Sequence, residues 1–279
     1  MTNGGIRIDM HAHAFADGLA PRAIAALNAR VPADLRTPYD GRLSSLVFEL
    51  KSHGFDKAML CQIATKPAQF KPILEWSRAV RDGVFGEDAA MMLSPLPSVH
   101  PEDPDVHAHI AQVGNEGFLG LKLHPYYQEF VIDSPKMLDY FRAVRDTGMF
   151  ITVHTGRDSG FPPMDLCGPK RVLNVLEKVT GLRMLVTHFG GWLDWEEADK
   201  YLVGTDADLE ISMTALQCDD ALFRRMIDKH PAEHLFFGSD WPWSNYDKVL
   251  PYLEGLGLSG ERMRLLMGEA AGKFLDLRG

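Results

Sequence analysis

Little in this chain belongs to a secreted, membrane-spanning or nucleic-acid-binding protein. Its 279 residues include only three cysteines, Cys61, Cys167 and Cys218, far apart and with no Cys-x-x-Cys pair. That excludes a disulfide framework and suits buried thiols in a reducing cytoplasm. No stretch approaches the roughly 20 consecutive apolar residues of a membrane span. Residues 1–5 have neither the basic start nor the apolar run of a signal peptide, so a soluble, cytoplasmic protein is expected. Basic residues are also in deficit, 29 Lys and Arg against 38 Asp and Glu, a net charge of -9. Nucleic acid and anionic membrane both need a basic surface, which leaves a small molecule as the expected partner. No Gly-x-Gly-x-x-Gly follows the first apolar run, which weakens a doubly wound dinucleotide fold. No linker, low-complexity segment or charge run divides the sequence, so residues 1–279 read as one domain.

What the sequence does contain is a rhythm. Largely apolar, extended runs fall at about 6–15, 55–63, 89–96, 117–125, 149–154, 182–188, 208–213 and 235–240. Helical stretches separate them, at about 20–30, 41–53, 67–81, 101–115, 134–147, 169–180, 193–203 and 219–229, with closing helices over 246–276. Gly148 and Gly181 stand where helix-ending glycines stand, and Pro135 where a helix begins. Parallel strands covered on both faces read as unbroken apolar runs. Eight of them alternating with helices predict a (β/α)8 barrel.

Several of these runs end in a residue able to bind a metal or move a proton. The first ends in His11 and His13, the fourth in Lys122 and His124, the fifth in His154, the sixth in His188 and the eighth in Asp240. A barrel's active site lies at the C-terminal ends of its strands, so these residues converge on one mouth. Alternation places His11 and His13 on one face with Asp9 a step below, and pairs Thr152 with His154, Val186 with His188 and Gly238 with Asp240. Neutral imidazoles gathered with a carboxylate suit Zn²⁺, with Mn²⁺, Co²⁺ or Fe²⁺ as substitutes.

The motifs Asp9-Met10-His11-Ala12-His13, Gly120-Leu121-Lys122-Leu123-His124-Pro125, Thr152-Val153-His154-Thr155-Gly156, Thr187-His188-Phe189-Gly190-Gly191 and Gly238-Ser239-Asp240-Trp241-Pro242 resemble, in this order, those of the amidohydrolase superfamily. The likeness is closest to its amidohydrolase-2 branch, which includes aminocarboxymuconate semialdehyde decarboxylase-like enzymes. The resemblance implies His11, His13, His154 and Asp240 as ligands of one divalent metal, usually zinc, with His188 acting beside it. Asp240 then takes a proton from the metal-activated water, and Asp9 supports an imidazole from behind.

Lys122 has three readings: a carbamate bridging two metals, an ammonium that binds an anion, or a structural ion pair. His124 shares its face and contacts substrate or packs the site. Arg157, in a glycine- and proline-rich loop, either forks a substrate carboxylate or is an ordinary loop arginine. Trp192, Trp241 and Trp243 wall a planar substrate or pack the rim. His107 and His109 repeat the His-x-His spacing on a helix, where such a pair faces apart and lies on the surface.

The expected activity is hydrolysis of an amide, lactone or ester of a small carboxylate-bearing molecule. A decarboxylase of the aminocarboxymuconate semialdehyde type is the alternative, since the same ligands serve both. A related deoxyribonuclease is disfavoured by the net charge and by Lys122. A non-catalytic metal protein is disfavoured by the presence of both His188 and Asp240. Similar proteins commonly form homo-oligomers, and no interface is legible in the residues.

Overall fold

The computed structural model describes residues 5–277. Eight strands follow one another along the chain: β1 (Ile8–Ala12), β2 (Lys57–Cys61), β3 (Leu93–Leu96), β4 (Gly120–Leu123), β5 (Phe150–Val153), β6 (Met184–Val186), β7 (Asp208–Glu210) and β8 (Leu235–Phe236). All neighbours pair in parallel, β1-β2-β3 in one ladder and β4 through β8 in another. Two seams close the circle. Lys122 N donates to Pro97 O at 2.9 Å between β3 and β4, and Met10 N donates to Phe237 O at 2.9 Å between β8 and β1. The single domain is thus an α/β barrel, as the eight runs predicted.

Alternation along the strands sorts the residues into two cores. Leu121, Leu123, Ile151, Val153, Val186 and Leu209 face outward and are covered by the helices, through Leu46, Val113, Phe141 and Val175 among others. Ile8, Met10, Met59, Leu96, Phe150, Leu185 and Phe236 form a separate apolar cluster with Ala270, Ala271 and Leu275. Phe274, from the last helix (Ala270–Phe274), lies 5.2 Å from Phe150 and 5.4 Å from Phe236, ring centre to ring centre. The C-terminal helix therefore plugs the N-terminal end of the barrel and leaves the opposite end for the site.

Three expectations change. The third apolar run is strand only from Leu93 onward, because Glu87–Met92 is a helix. Its Ala-Ala-Met-Met sequence has no β-branched residue, and Glu87 and Asp88 favour a helical first turn. The helix expected from 101 begins at Val106, after turns set by Pro101 and Pro104. The eighth run leaves the ladder after Phe236, and Asp240 adopts φ 59°. Ser239 N and Asp240 N turn instead to Asp9 Oδ1 (3.0 Å) and His11 O (2.7 Å). Among the described residues, no helix is long and apolar enough to cross a membrane.

Candidate metal centre

The strand ends meet as expected, and the detail of their meeting depends on β1. Its ladder with β2 slips between Asp9 and Ala12, so strict alternation fails there. Ile8 and Met10 point into the apolar barrel floor. Asp9 turns the other way, where its Oδ2 accepts from Tyr246 Oη at 2.6 Å and its Oδ1 accepts from His11 N and Ser239 N. Asp9 therefore holds the backbone of β1 against the segment after β8 and supports no imidazole. Burial pushes its carboxyl up to about 6.

The support for His11 comes from Glu210, the last residue of β7. Its Oε1 lies 2.9 Å from His11 Nδ1, 3.0 Å from His188 N and 2.7 Å from Ser212 Oγ, while Oε2 accepts from Ser212 N. Glu210 is fully buried, and burial raises its carboxyl against the pull of the Ser212 and His188 donors. Space for it exists because residue 238 is glycine. A Cβ there would stand 2.3 Å from Glu210 Oε2.

These outer partners decide the tautomers. His11 Nδ1 faces a carboxylate and His13 Nδ1 faces the Cys61 carbonyl at 3.0 Å, both acceptors, so each ring carries its proton on Nδ1. The two Nε2 lone pairs then confront each other at 3.1 Å, and Asp240 Oδ1 stands 3.5 Å from one and 3.4 Å from the other. Donors about 2.1 Å from a tetrahedral cation are roughly 3.4 Å apart, so this trio fits one. Three acceptors this close repel one another unless positive charge lies among them, and the Lys122 Nζ, 2.9 Å from His11 Nε2, supplies part of it. His11 is held well below the ordinary imidazole range, first by burial and then by Lys122, so its Nε2 stays unprotonated.

The fourth expected ligand is not with the other three. His154 Nε2 donates to Arg157 O at 2.9 Å, which leaves Nδ1 as an acceptor 3.0 Å from His188 Nε2. Its neighbours in ligand distance are His124 and Asp158 rather than His11, His13 and Asp240. The carbonyl of the glycine-rich loop thus turns the ring away from the trio. Burial lowers His154 to about 3. His188, expected beside the metal, lies between both groups: its Nδ1 is 3.0 Å from Ser212 Oγ, and its ring centre is 5.4 Å from that of His11.

Lys122 is completely buried, with Nζ 2.9 Å from His11 Nε2. Desolvation depresses its ammonium, partly countered by the nearby Cys61, Asp240 and Glu210. His124 lies parallel to His154 at 4.0 Å and places Nε2 3.3 Å from Asp158 Oδ2. Arg157 is engaged elsewhere: Nε and Nη2 both reach Asp194 Oδ1 at 2.8 Å, on an exposed side chain. Its guanidinium is thus paired with a protein carboxylate through a single oxygen.

Of the three tryptophans, Trp243 sets its edge 5.7 Å from His13 and Trp192 lies 6.0 Å from His188, whereas Trp241 is fully buried in the outer core. His107 pairs with Asp139 at the surface, but His109 is partly covered, stacked on Phe70 and bonded to Asp103. Glu210, Ser212 and Asp158 were missed. Glu210 carried a usable signal, an acid inside the seventh apolar run, where a buried strand has no polar side to show; Asp158 sits in an irregular loop and carried none.

With this geometry established, likeness to known proteins can be weighed. Over 97% of its length the chain superposes on an uncharacterized TIM-barrel protein from Bordetella bronchiseptica (TM-score 0.77, 14% identity, 98% of that chain). It also matches a probable 2-pyrone-4,6-dicarboxylic acid hydrolase from Acinetobacter baumannii (0.66, 15%, 97% of this chain and 99% of that one). A dihydroxybenzoic acid decarboxylase from Polaromonas, solved with bound manganese, matches as well (0.70, 14%, 99% and 98%). Such identities establish the barrel fold alone. Comparison with curated protein sequences finds no match. The amidohydrolase family model, however, matches residues 8–277, nearly the entire chain, and on that ground the protein belongs to the amidohydrolase-2 family.

Proposed function

We propose that the protein is a metal-dependent hydrolase in which water attacks the carbonyl carbon of an amide, lactone or ester on a small carboxylate-bearing substrate. The observation that carries this reading is the convergence of His11 Nε2, His13 Nε2 and Asp240 Oδ1, with both imidazole tautomers fixed from outside. These three residues would hold the ion, and the donor set suits zinc or manganese. A bound divalent cation supplies Lewis acidity, bringing the pKa of water toward ~7 and polarising a carbonyl.

The chain's own residues do the rest. Asp240 Oδ accepts the proton of the attacking water and passes it to the leaving oxygen or nitrogen. Its side chain is 14% exposed at the mouth, within reach of both solvent and substrate. Glu210 keeps the His11 proton on Nδ1 throughout and, with Ser212, fixes the His188 ring. The His188 ring, held between Ser212 Oγ and His154 Nδ1, flanks the reacting carbonyl, and Lys122 places its ammonium at the floor of the mouth, where it attracts the substrate's carboxylate.

A carboxy-lyase is the second reading, favoured by the name of the Polaromonas relative and by its manganese. The same groups then deliver a proton to the carbon that CO₂ leaves. Two measurements test both readings. Elemental analysis should find about one divalent metal per chain, lost in His11→Ala and in Asp240→Ala. Products from lactones, amides and hydroxylated aromatic acids then separate the reactions: a new carboxyl group marks the hydrolase, CO₂ the lyase. A protein that takes up no metal even on reconstitution would contradict both.

A further inference from the structure

Beyond the trio, the mouth contains a second built group. His124 ends β4, and its backbone is locked: His124 N donates to Gln128 Oε1 at 2.7 Å, and Gln128 Nε2 donates to Ala64 O at 3.0 Å. The ring is equally fixed. His154 lies parallel at 4.0 Å, and Tyr127 meets it edge-on at 4.7 Å. Asp158 Oδ2 is 3.3 Å from Nε2, while Asp158 Oδ1 is tied to Gly160 N at 2.7 Å. A carboxylate only accepts, so it keeps the His124 proton on Nε2. Nδ1 is thereby left as a bare acceptor. His124 is 7% exposed, and its Nδ1 is buried without a hydrogen-bond partner among the described residues. Buried acceptors are almost always paired, and a residue held this firmly cannot rotate to find a donor within the protein.

We propose that His124, oriented by Asp158, is a specificity-determining residue whose Nδ1 accepts a hydrogen bond from a hydroxyl or amino group of the substrate. This deepens the reading of the mouth as a substrate site and rests on it. The preferred substrates then carry an O–H or N–H donor beside the carboxylate, and analogues with that donor blocked are discriminated against, because they leave the acceptor buried and unpaired.

The test is binding rather than turnover, so that it reads independently of which reaction the enzyme performs. Calorimetry on the metal-loaded protein compares the 2-, 3- and 4-hydroxybenzoates with the corresponding methoxybenzoates, which keep ring and carboxylate but lose the donor. At least one hydroxyl compound should bind about tenfold more tightly than its ether in the native protein. In His124→Phe, which keeps a ring of similar size, and in Asp158→Ala, which releases the orientation, that ratio should fall toward one. Metal content should stay unchanged in both. A merely structural role would weaken hydroxyl and methoxy compounds alike. The proposal is overturned if the native protein does not distinguish any pair, or if the preference survives in both variants. Should His124→Phe fail to fold, Asp158→Ala alone decides.

Discussion

At one end of the barrel, Ile8, Met10, Phe150 and Phe236 fill the interior with nothing but apolar volume, sealed by the helix Ala270–Phe274. One layer further along the same strands, the interior holds His11, Lys122, His154 and Glu210, all at least 95% buried. The lower layer needs only shape, and its residues are interchangeable within limits of size. The upper layer bears the desolvation cost of charged and polar groups and persists only because each is paired with another. Function is stored where that pairing is left incomplete: His13 Nε2 and Asp240 Oδ1, converging beside the His11 Nε2 that Lys122 reaches, and the bare Nδ1 of His124. Floor and mouth should therefore respond to mutation in opposite ways.

The largest effect is expected at the floor. Phe150→Ala should destabilise the fold by about 3–5 kcal/mol, seen in denaturant unfolding, while metal per folded chain stays the same. Loss of metal in that variant would break the distinction between the layers. Next comes a control outside both, His230, whose Nε2 faces Ala207 O at 3.0 Å and whose Nδ1 accepts from Gly204 N. Burial lowers it to about 4. Unfolded chains take up a proton near pH 6.5 and the folded one resists until about 4, so stability present above 6.5 is lost as pH falls through that window. The loss amounts to about 3 kcal/mol, and His230→Gln should flatten it. Unfolding midpoints measured between pH 4 and pH 7 check this.

At the mouth, Glu210→Ala should lower metal affinity by about 10–100-fold, as loss of a carboxylate behind a metal-bound histidine does, with Glu210→Gln milder. Metal titration reads it directly, and an unchanged affinity would remove Glu210 from the site. Gly238→Ala should give a smaller loss of the same kind, about tenfold, by pushing the Glu210 carboxylate aside and crowding His11, whose Cβ would stand 3.1 Å from the added methyl.

Much of this was legible in the residues. Continuous apolar runs marked eight strands because a parallel strand covered on both faces has no polar side to show. The polar residues closing those runs marked the mouth, since a strand end is where a barrel exposes its interior. Boundaries failed where composition competed with apolarity, as at Glu87–Met92, where helix formers took the front half of a predicted strand. Asp9 was misread because a slip in the β1 ladder cancels alternation at the residue where the argument relied on it. The pairing of Arg157 with Asp194 was not legible because the two lie 37 positions apart on different loops.

The barrel, the end that holds the site and the residue types gathered there follow from the sequence itself, because burial period and strand order are local properties that repetition makes unambiguous. The assignment of His11, His13 and Asp240 to one trio and of His154, His124 and Asp158 to another was decided only in the folded chain. Which nitrogen of a ring carries its proton depends on the acceptor behind it. Two of those acceptors, Glu210 and the Cys61 carbonyl, are brought there by packing rather than by spacing along the chain, and the third, the Arg157 carbonyl, by the local turn of the loop after β5.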